Sequence, residues 1–398
     1  MTAEDARRAA AASDERRARR TTLGPLDGIP FGLKDNIDLA GVPATAGMEL
    51  RRHHVPAADA PVVTALKRAG AVILGKHSLH EAAMGPSATN PHYGSTHNPH
   101  RRDHSAGGSS TGAGAALAAG LCAAALGTDT LGSVRIPAAY SGIAALCPTP
   151  GRISTDGVLP LAWSLDVVGP MARRARDLSL LFAGLAETRP MAHPRGATLG
   201  VLTPLDEAQV QPAVMDVFRR AVARLRDAGF RTVDVMLSGD GLQATFNAGL
   251  VISRAEALAV HATDFAAQPV GFSAPMRANL EQAAGFRATD LVRAMRTRAG
   301  IAMAVLRLLA GCAALVMPTT PVPTYRLDGP VPPNQPLFTA LANVAGCPAV
   351  SVPMGFTPDR LPLGLQFLGA PGSDESLMAL AATYEDAAGF DMTPPSFN

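Results

Sequence analysis

Residues 107–137 read GGSSTGAGAALAAGLCAAALGTDTLGSVRIP and carry serines at both ends of an apolar run. Ser109 and Ser110 follow two glycines at the start, and Ser133 follows a glycine near the end. The residues between them, 111–126, are almost all Ala, Gly and Leu, which favours a helix without a polar face. We therefore predict a buried central helix with a serine-bearing loop at each end.

The two ends of this predicted helix offer different chemistry. Ser110 stands where the helix begins, and serine is a favoured N-cap because its side chain accepts a hydrogen bond from a free N–H group. Ser133 follows Gly132, and glycine permits a tight turn in which several N–H groups point the same way. The hydroxyl groups at the two ends are therefore candidates for one shared pocket.

A serine hydroxyl becomes a good nucleophile only when a base takes its proton. Histidine is the usual base, but the chain also offers Lys34, which follows the apolar run 29–33. A short strand there would carry Lys34 into the interior, where burial lowers the pKa of a lysine because the charged form loses its solvation. Lys34 is therefore a candidate for a neutral general base.

Several blocks, in order along most of the chain, resemble the amidase signature family of serine hydrolases. They are GPLDGIPFGLKDNIDLAGVPATAG at 24–47, AVILGKHSLHEAAMG at 71–85, NPHYGSTHNP at 90–99, the central block to 142, SLDVVGPMAR at 164–173, NVAGCPAVSVPMGF at 343–356 and PLGLQFLG at 362–369. The resemblance implies one α/β/α domain, 24–398, with a large mixed, twisted sheet covered by helices. It also implies that the region 197–330 is variable and faces the substrate.

The resemblance implies a role for each candidate residue. Lys34 stands at the family's base, Ser109 at its bridging serine, which a cis peptide bond holds, and Ser133 at its nucleophile. The family separates bridge and nucleophile by 24 residues, as Ser109 and Ser133 are separated here. This spacing favours Ser109 over Ser110, which is the second choice and a candidate substrate-binding residue.

The backbone N–H groups of Thr130, Leu131, Gly132 and Ser133 are expected to form the oxyanion hole. Leu131 departs from the family pattern, which has a second glycine before the nucleophile. A side chain does not remove the N–H group of its own residue, so we expect the donors to survive. Leu131 should instead shape the wall of the pocket and thereby affect which substrate enters.

Six of the ten histidines lie in the loop-rich segment 76–104, namely His77, His80, His92, His97, His100 and His104. Their intervals raise a metal site as an alternative. The segment has no HExxH motif, and Pro99 interrupts its second group, so we favour histidines at the rim of a polar cleft and predict neither a catalytic metal nor a cofactor. By resemblance, Met84 and Gly85 are expected to line the acyl pocket.

Outside the central stretch, strand and helix patterns alternate, which favours an α/β fold. The predicted elements are a strand ending at 34, a helix at 60–69, a strand at 71–74, a strand-like passage after 137, a helix at 173–183, a linker at 190–195, strands at 197–204 and 231–237, a helix at 212–228, a helical region at about 241–310, strands at 313–321, 349–353 and 364–368, and a closing helix at 374–388.

The charged leader, residues 1–23, predicts a solvated surface helix rather than an RNA-binding arm, because acidic and basic residues alternate in it. The resemblance implies additional N-terminal helices that cover part of the site or form a dimer contact. The leader is short by comparison, which leaves the cover of the site and the oligomeric state, a homodimer included, open.

The composition argues against several classes of protein. Of the 398 residues 47% are hydrophobic and the net charge is only +2, which suits a large core but neither nucleic acid nor a membrane surface as a partner. The dispersed cysteines, Cys122, Cys147, Cys312 and Cys347, predict buried thiols rather than disulfides or metal ligands. No secretory segment or membrane-spanning apolar run is found, so we predict a cytoplasmic enzyme.

Two further features have competing interpretations. Asp129 and Arg135 bracket the loop of Ser133, and we favour hydrogen bonds that hold the loop over a charge relay. For Trp163, the only tryptophan, we favour an anchor in the core or a loop over a substrate-stacking role.

These observations predict a hydrolase that cleaves the C–N bond of a small carboxylic amide through an acyl-enzyme on Ser133, activated by a Ser109–Lys34 relay. A carbamate, ester or urea-derivative hydrolase with the same triad is one alternative. Another is a glutamine-hydrolysing subunit of a tRNA-dependent amidotransferase, which needs a companion subunit. A third is a binding protein that kept the fold without the activity. The triad alone does not separate these substrates, because specificity depends on the shape of the pocket.

Overall fold

A mixed sheet of ten strands forms the centre of the computed structural model, which describes residues 2–186, 188, 196–203, 205, 210–237 and 241–395. The strands, including two short pairs outside this sheet, are β1 (Pro30–Lys34), β2 (Val72–His77), β3 (Thr89–Asn90), β4 (Gly94–Ser95), β5 (His97–Asn98), β6 (Arg101–Ser105), β7 (Ala124–Asp129), β8 (Ala144–Cys147), β9 (Val167–Ala172), β10 (Thr198–Leu202), β11 (Arg231–Val235), β12 (Ala314–Pro318), β13 (Ala349–Phe356) and β14 (Pro362–Leu368).

The strand order in the large sheet is β11-β10-β12-β14-β13-β8-β9-β7-β1-β2. β1 runs parallel to both β2 and β7, whereas β9 runs antiparallel to β7 and β8. Every residue of β7, β8, β9 and β12 is buried, as expected for strands covered on both faces. Because β1 and β7 are parallel neighbours, their carboxyl ends bring Lys34 close to the residues that end β7.

Helices pack against the sheet, and the fold class predicted from the sequence is confirmed. They are α1 (Ala3–Ala18), α2 (Pro61–Arg68), α3 (Thr111–Ala118), α4 (Arg135–Ser141), α5 (Ala175–Ala186), α6 (Pro212–Asp227), α7 (Gly241–Val260), α8 (Ala262–Ala267), α9 (Ala274–Ala284), α10 (Ala288–Leu309), α11 (Ala340–Ala345) and α12 (Asp374–Ala388), with short 3-10 turns at Glu49–Arg51, Glu81–Ala83 and Pro269–Gly271. The helical region predicted at about 241–310 thus consists of four α-helices and one 3-10 turn.

The central helix predicted over 111–126 is wrong in its second half. α3 ends at Ala118, where Gly120 has φ +73° and the N–H groups of Gly120 and Leu121 donate to the carbonyls of Leu117 and Ala116. This is a Schellman ending, in which glycine takes the left-handed conformation without a steric penalty. The rest of the run becomes β7, because an apolar stretch without periodicity fits a buried strand as well as a buried helix.

The strand-like passage predicted directly after Pro137 is also wrong at its start. Pro137 lies inside α4, which ends at Gly142 with φ +68°, and the strand β8 begins only at Ala144. The predicted linker 190–195 lies outside the described residues. Within the described chain, no helix is long and apolar enough to cross a membrane.

The four cysteines are free, as predicted, and three of them are buried, whereas Cys312 is partly exposed. The leader helix α1 is mostly exposed, with only Ala6 and Ser13 buried along it.

Candidate active site

Lys34 is fully buried at the end of β1 and hydrogen-bonds only to neutral oxygen atoms. Its Nζ lies 2.8 Å from Ser109 Oγ, 2.8 Å from Thr128 Oγ1 and 3.2 Å from the Thr128 carbonyl oxygen. Burial lowers the pKa of Lys34 from 10.5 to about 7, although the charges of Asp166 and Asp129 oppose this shift. At neutral pH a large fraction of Lys34 is therefore uncharged and can accept a proton.

The loop before α3 holds Ser109 against Lys34. The peptide bond between Gly108 and Ser109 is cis, as the family resemblance implies. The carbonyl of Ser109 accepts the N–H of His80 at 3.2 Å, and the N–H of Ser110 donates to the carbonyl of Ser133 at 3.0 Å. These backbone contacts tie the Ser109 loop directly to the loop of Ser133.

The loop from Thr130 to Ser133 is held by the carboxylate of Asp129. Asp129 Oδ1 accepts the N–H of Gly132 at 2.7 Å, and Oδ2 accepts the N–H of Val134 at 3.1 Å. Gly132 has φ +126°, and a Cβ atom there would meet Thr339 Oγ1 at 2.2 Å, so a side chain at this position is excluded.

This arrangement reduces the predicted set of oxyanion donors. The Gly132 N–H is engaged by Asp129, and Gly132 is absent from the lining of the adjacent cavity. Thr130, Leu131 and Ser133 do line the cavity, and no described residue engages their N–H groups. Three of the four predicted donors thus remain available.

Asp129 and Arg135 form a fully buried, bidentate ion pair, with Nε and Nη2 of Arg135 at 3.0 and 2.9 Å from the two carboxylate oxygens. Arg135 also donates to the Thr339 carbonyl, to Gln366 Oε1 and to Asn343 Oδ1 at 2.6–2.8 Å. Burial acts to raise the pKa of Asp129, but the charge and hydrogen bonds of Arg135 outweigh it and keep the pKa low. The geometry agrees with the interpretation that this pair holds the loop.

Asp166 is a buried carboxylate at the site that the sequence analysis did not single out. Its Oδ1 accepts the hydroxyl of Thr130 at 2.5 Å, and its Oδ2 accepts the N–H groups of Leu161 and Ala162 at 2.8 and 2.9 Å. Burial raises its pKa to about 6, while these hydrogen bonds and the charge of Lys34 act in the opposite direction. The only sequence signal was its position inside the 164–173 block, directly before the apolar run that becomes β9.

A cavity of about 500 Å³ opens at Ser133. Met84 and Gly85 line it as expected, together with His80 and a majority of apolar side chains. Leu131 lines the cavity and also packs on α7, because its Cδ2 lies only 2.7 Å from where a Cβ of Gly249 would be.

Ser110 does not join this cavity, which contradicts its prediction as a substrate-binding residue. Its side chain is fully buried and its Oγ donates to the Thr128 carbonyl at 3.3 Å. It occupies the N-cap position of α3, as predicted, but its side chain accepts no capping hydrogen bond.

The histidines and Trp163 lie as follows. Burial lowers the pKa of His77 to about 4, and His92 pairs with Glu81 at 3.1 Å. Among the residues that the structure describes, no group of three or more His, Cys, Asp or Glu side chains is arranged to hold a metal ion. The prediction of Trp163 as an anchor is wrong, since it is 58% exposed, and it is not among the residues lining the cavity.

Comparison with known proteins gives consistent similarities over nearly the whole chain. The sequence model of the family described as Amidase matches residues 1–378. A relative from Symbiobacterium thermophilum, the first subunit of its glutamyl-tRNA(Gln) amidotransferase, is 34% identical over 414 residues, covering 93% of this chain and 85% of that protein.

Two solved structures have similar folds. A crystal structure of an amidase superposes with a TM-score of 0.90 at 31% sequence identity, covering 96% of this chain and 90% of that one. The native peptide amidase from Stenotrophomonas maltophilia superposes with a TM-score of 0.82, also at 31% identity, covering 98% of this chain and 89% of that one.

Proposed function

The chain belongs to the amidase family, and from that premise we propose that it hydrolyses the C–N bond of a small carboxylic amide through an acyl-enzyme on Ser133. The observation that carries the proposal is the 2.8 Å contact between Lys34 Nζ and Ser109 Oγ in a fully buried site. A lysine with a pKa of about 7 has the protonation state that a general base needs near neutral pH.

In the proposed reaction, neutral Lys34 accepts the proton of Ser109 as Ser109 accepts the proton of Ser133. Ser133 Oγ then bonds to the amide carbonyl carbon, and the N–H groups of Thr130, Leu131 and Ser133 stabilise the negative charge on the carbonyl oxygen. The C–N bond breaks as the proton returns through Ser109 to the leaving amine. Water repeats the sequence on the acyl-enzyme and releases the acid.

Protein groups supply the base, the nucleophile and the oxyanion donors of this reaction. Asp129 fixes the nucleophile loop through its bonds to Gly132 and Val134, so the donors are oriented before the substrate arrives. Preorganised donors of this kind stabilise the transition state without a reorganisation cost.

A second candidate function is glutamine hydrolysis as part of an amidotransferase, favoured by the 34% identity to the amidotransferase relative. It uses the same proposed triad and differs in requiring a companion subunit. Strong turnover of simple amides by the purified chain alone would favour the independent amidase. A carbamate, ester or urea-derivative substrate remains a variant of the same acyl-transfer chemistry.

The experiment that tests the proposal is brief treatment with a fluorophosphonate probe, followed by intact-protein mass and peptide mapping. We expect one adduct, on Ser133, which is lost in Ser133→Ala and strongly slowed in Lys34→Ala. The matched pair Ser109→Ala and Ser110→Ala identifies the bridging serine, because only the first removes the hydroxyl in contact with Lys34. An adduct on another residue, or unchanged labelling of Lys34→Ala, would overturn the proposed relay.

A further inference from the structure

The cavity at Ser133 is apolar over most of its wall but contains one charged side chain. Leu161, Phe246, Leu250 and Val331 contribute apolar surface, along with several prolines. Among the described residues that line it, Arg254 is the only Arg, Lys, Asp or Glu. An arginine in such a wall is expensive to desolvate unless it gains an acceptor.

The position of Arg254 on α7 explains why it faces the cavity. Phe246, Leu250, Ser253 and Arg254 all line the cavity, and their spacing of four, three and one residues places them on one side of a helix. Glu256, the nearest acid on the same helix, instead accepts the N–H of Ser164 at 3.0 Å. The sequence of α7 therefore directs an arginine into the cavity and an acid away from it.

Arg254 has neither a hydrogen bond nor an ion pair with any residue that the structure describes, although it is half-buried. Burial lowers its pKa. Arg51, which is also partly buried, differs because the carboxylates of Asp38, Asp264 and Asp35 act to raise its pKa.

The polar neighbours of Arg254 in the cavity wall are already satisfied. Ser253 Oγ donates to the Leu250 carbonyl at 3.2 Å, and Asn279 Nδ2 donates to the Pro275 carbonyl at 3.0 Å. Ser273 Oγ accepts the N–H of Met276 at 3.4 Å. Arg254, by contrast, has five N–H donors and no acceptor among these groups.

We propose that Arg254 binds a carboxylate of the substrate, so that the preferred amides carry an anionic group separated from the scissile carbonyl by an apolar segment. A guanidinium pairs with a carboxylate through two parallel hydrogen bonds, and an apolar surrounding strengthens this pairing. The apolar segment would lie along the Leu131, Phe246 and Leu250 side of the cavity. This inference rests on the proposed amidase function and specifies its substrate class.

The test compares monoamides of dicarboxylic acids with neutral amides of matched length. The pairs are succinamate with butanamide, glutaramate with pentanamide, and adipamate with hexanamide. We expect the wild-type enzyme to have a higher kcat/KM for the acid of at least one pair. Arg254→Gln should reduce that preference about 10- to 100-fold, the range for a lost hydrogen bond to a charged group.

Two further variants make this result specific. Arg254→Lys keeps the charge but loses the bidentate geometry, and we expect it to restore part of the preference. Arg296→Gln removes one exposed positive charge from α10 and should leave the preference unchanged. A wild-type enzyme without any preference, or an Arg254→Gln variant that keeps it, would overturn the inference.

A binding measurement separates this inference from the proposed function. Calorimetric titration of Ser133→Ala with the same three monoamides should give a Kd about 10- to 100-fold tighter than titration of the Ser133→Ala, Arg254→Gln double variant. Equal affinities, or no binding of any monoamide to Ser133→Ala, would overturn the role of Arg254. Absence of a fluorophosphonate adduct on Ser133 would instead overturn the proposed function, and the titration would still decide Arg254.

Discussion

The molecule buries two cations completely, Lys34 and Arg135, and treats them in opposite ways. Arg135 is paired with Asp129 at 2.9 Å and donates to three other acceptors. Lys34 contacts only hydroxyl and carbonyl oxygens, although Asp166 and Asp129 act on it through their charges. Equal burial therefore produces a permanently charged structural clamp in one place and a titratable group in the other.

The difference teaches that the partner, more than the depth, decides what a buried cation does. An ion pair with good geometry recovers much of the desolvation free energy, and breaking it leaves an uncompensated charge. A buried lysine without a bonded carboxylate escapes the same penalty by losing its proton. The following substitutions test this contrast, from the largest expected effect to the smallest.

The largest effect should come from Lys34→Arg, which retains a positive charge but cannot give a neutral base. We expect kcat/KM for the best amide to fall about 10³- to 10⁵-fold, as for Lys34→Ala. The reverse conservative change, Arg135→Lys, should leave far more activity because the clamp needs charge rather than a proton acceptor. Near-normal turnover by Lys34→Arg would contradict the assignment of Lys34 as the base.

Arg135→Met should lower the free energy of unfolding by about 3–5 kcal/mol, because it leaves the buried Asp129 carboxylate without its cation. Chemical denaturation at neutral pH measures the effect. Arg176→Met is the matched control, since Arg176 pairs with Asp386 where both side chains are largely exposed, 70% and 47%. The control should change stability by less than about 1 kcal/mol, and similar losses in both variants would remove the contrast.

Lys34→Met should stabilise the fold while it removes activity. The pKa of Lys34 falls from 10.5 in its ordinary state to about 7 in the folded protein. The folded state therefore binds fewer protons than the unfolded state between these pH values, and the stability of the wild type rises with pH across this window.

We expect Lys34→Met to raise the free energy of unfolding at pH 7 by about 1–3 kcal/mol, a gain that shrinks toward pH 10. Denaturation of both proteins at several pH values measures it. Lys67→Met, which removes a partly exposed lysine paired with Asp59, should show no such pH-dependent gain. A less stable Lys34→Met variant at every pH would contradict the prediction.

The smallest of these effects should be a shift of the pH profile in Asp166→Asn. The wild-type kcat/KM should rise with an apparent pKa near 7 as Lys34 loses its proton. The charge of Asp166 raises the pKa of Lys34, so its removal should move this rising limb to lower pH by up to about 1 unit. Asp59→Asn, at the surface pair with Lys67, should not move it. A limb that moves to higher pH would contradict the electrostatic coupling.

The sequence predicted the α/β fold and brought Lys34, Ser109 and Ser133 forward, because each stands in an ordered block and at a fixed spacing. It failed at the boundary between α3 and β7, since a run of Ala, Gly and Leu carries no periodicity that separates a buried helix from a buried strand. The ending at Gly120 depended on a left-handed turn that only the structure shows.

The remaining parts of the site depended on contacts between residues far apart in the chain. Asp166 reaches the nucleophile loop through Thr130, 36 positions away, and no local pattern indicates such a contact. The engagement of the Gly132 N–H by Asp129 and the unpaired state of Arg254 also require three-dimensional positions. Ser110 was misplaced for the opposite reason, because adjacency to Ser109 does not imply that both side chains face the cavity.

The contact between Leu131 and Gly249 constrains the order in which substitutions can accumulate during evolution. A methyl group added at Gly249 would lie 2.7 Å from Leu131 Cδ2, so Gly249→Ala forces the leucine to move, whereas Leu131→Ala first makes room. We expect Gly249→Ala to be tolerated better in the Leu131→Ala background, which thermal unfolding of the two single variants and the double variant would measure. Because the backbone supplies the donor at position 131, a lineage could reshape the pocket by this two-step route without changing the chemistry at Ser133.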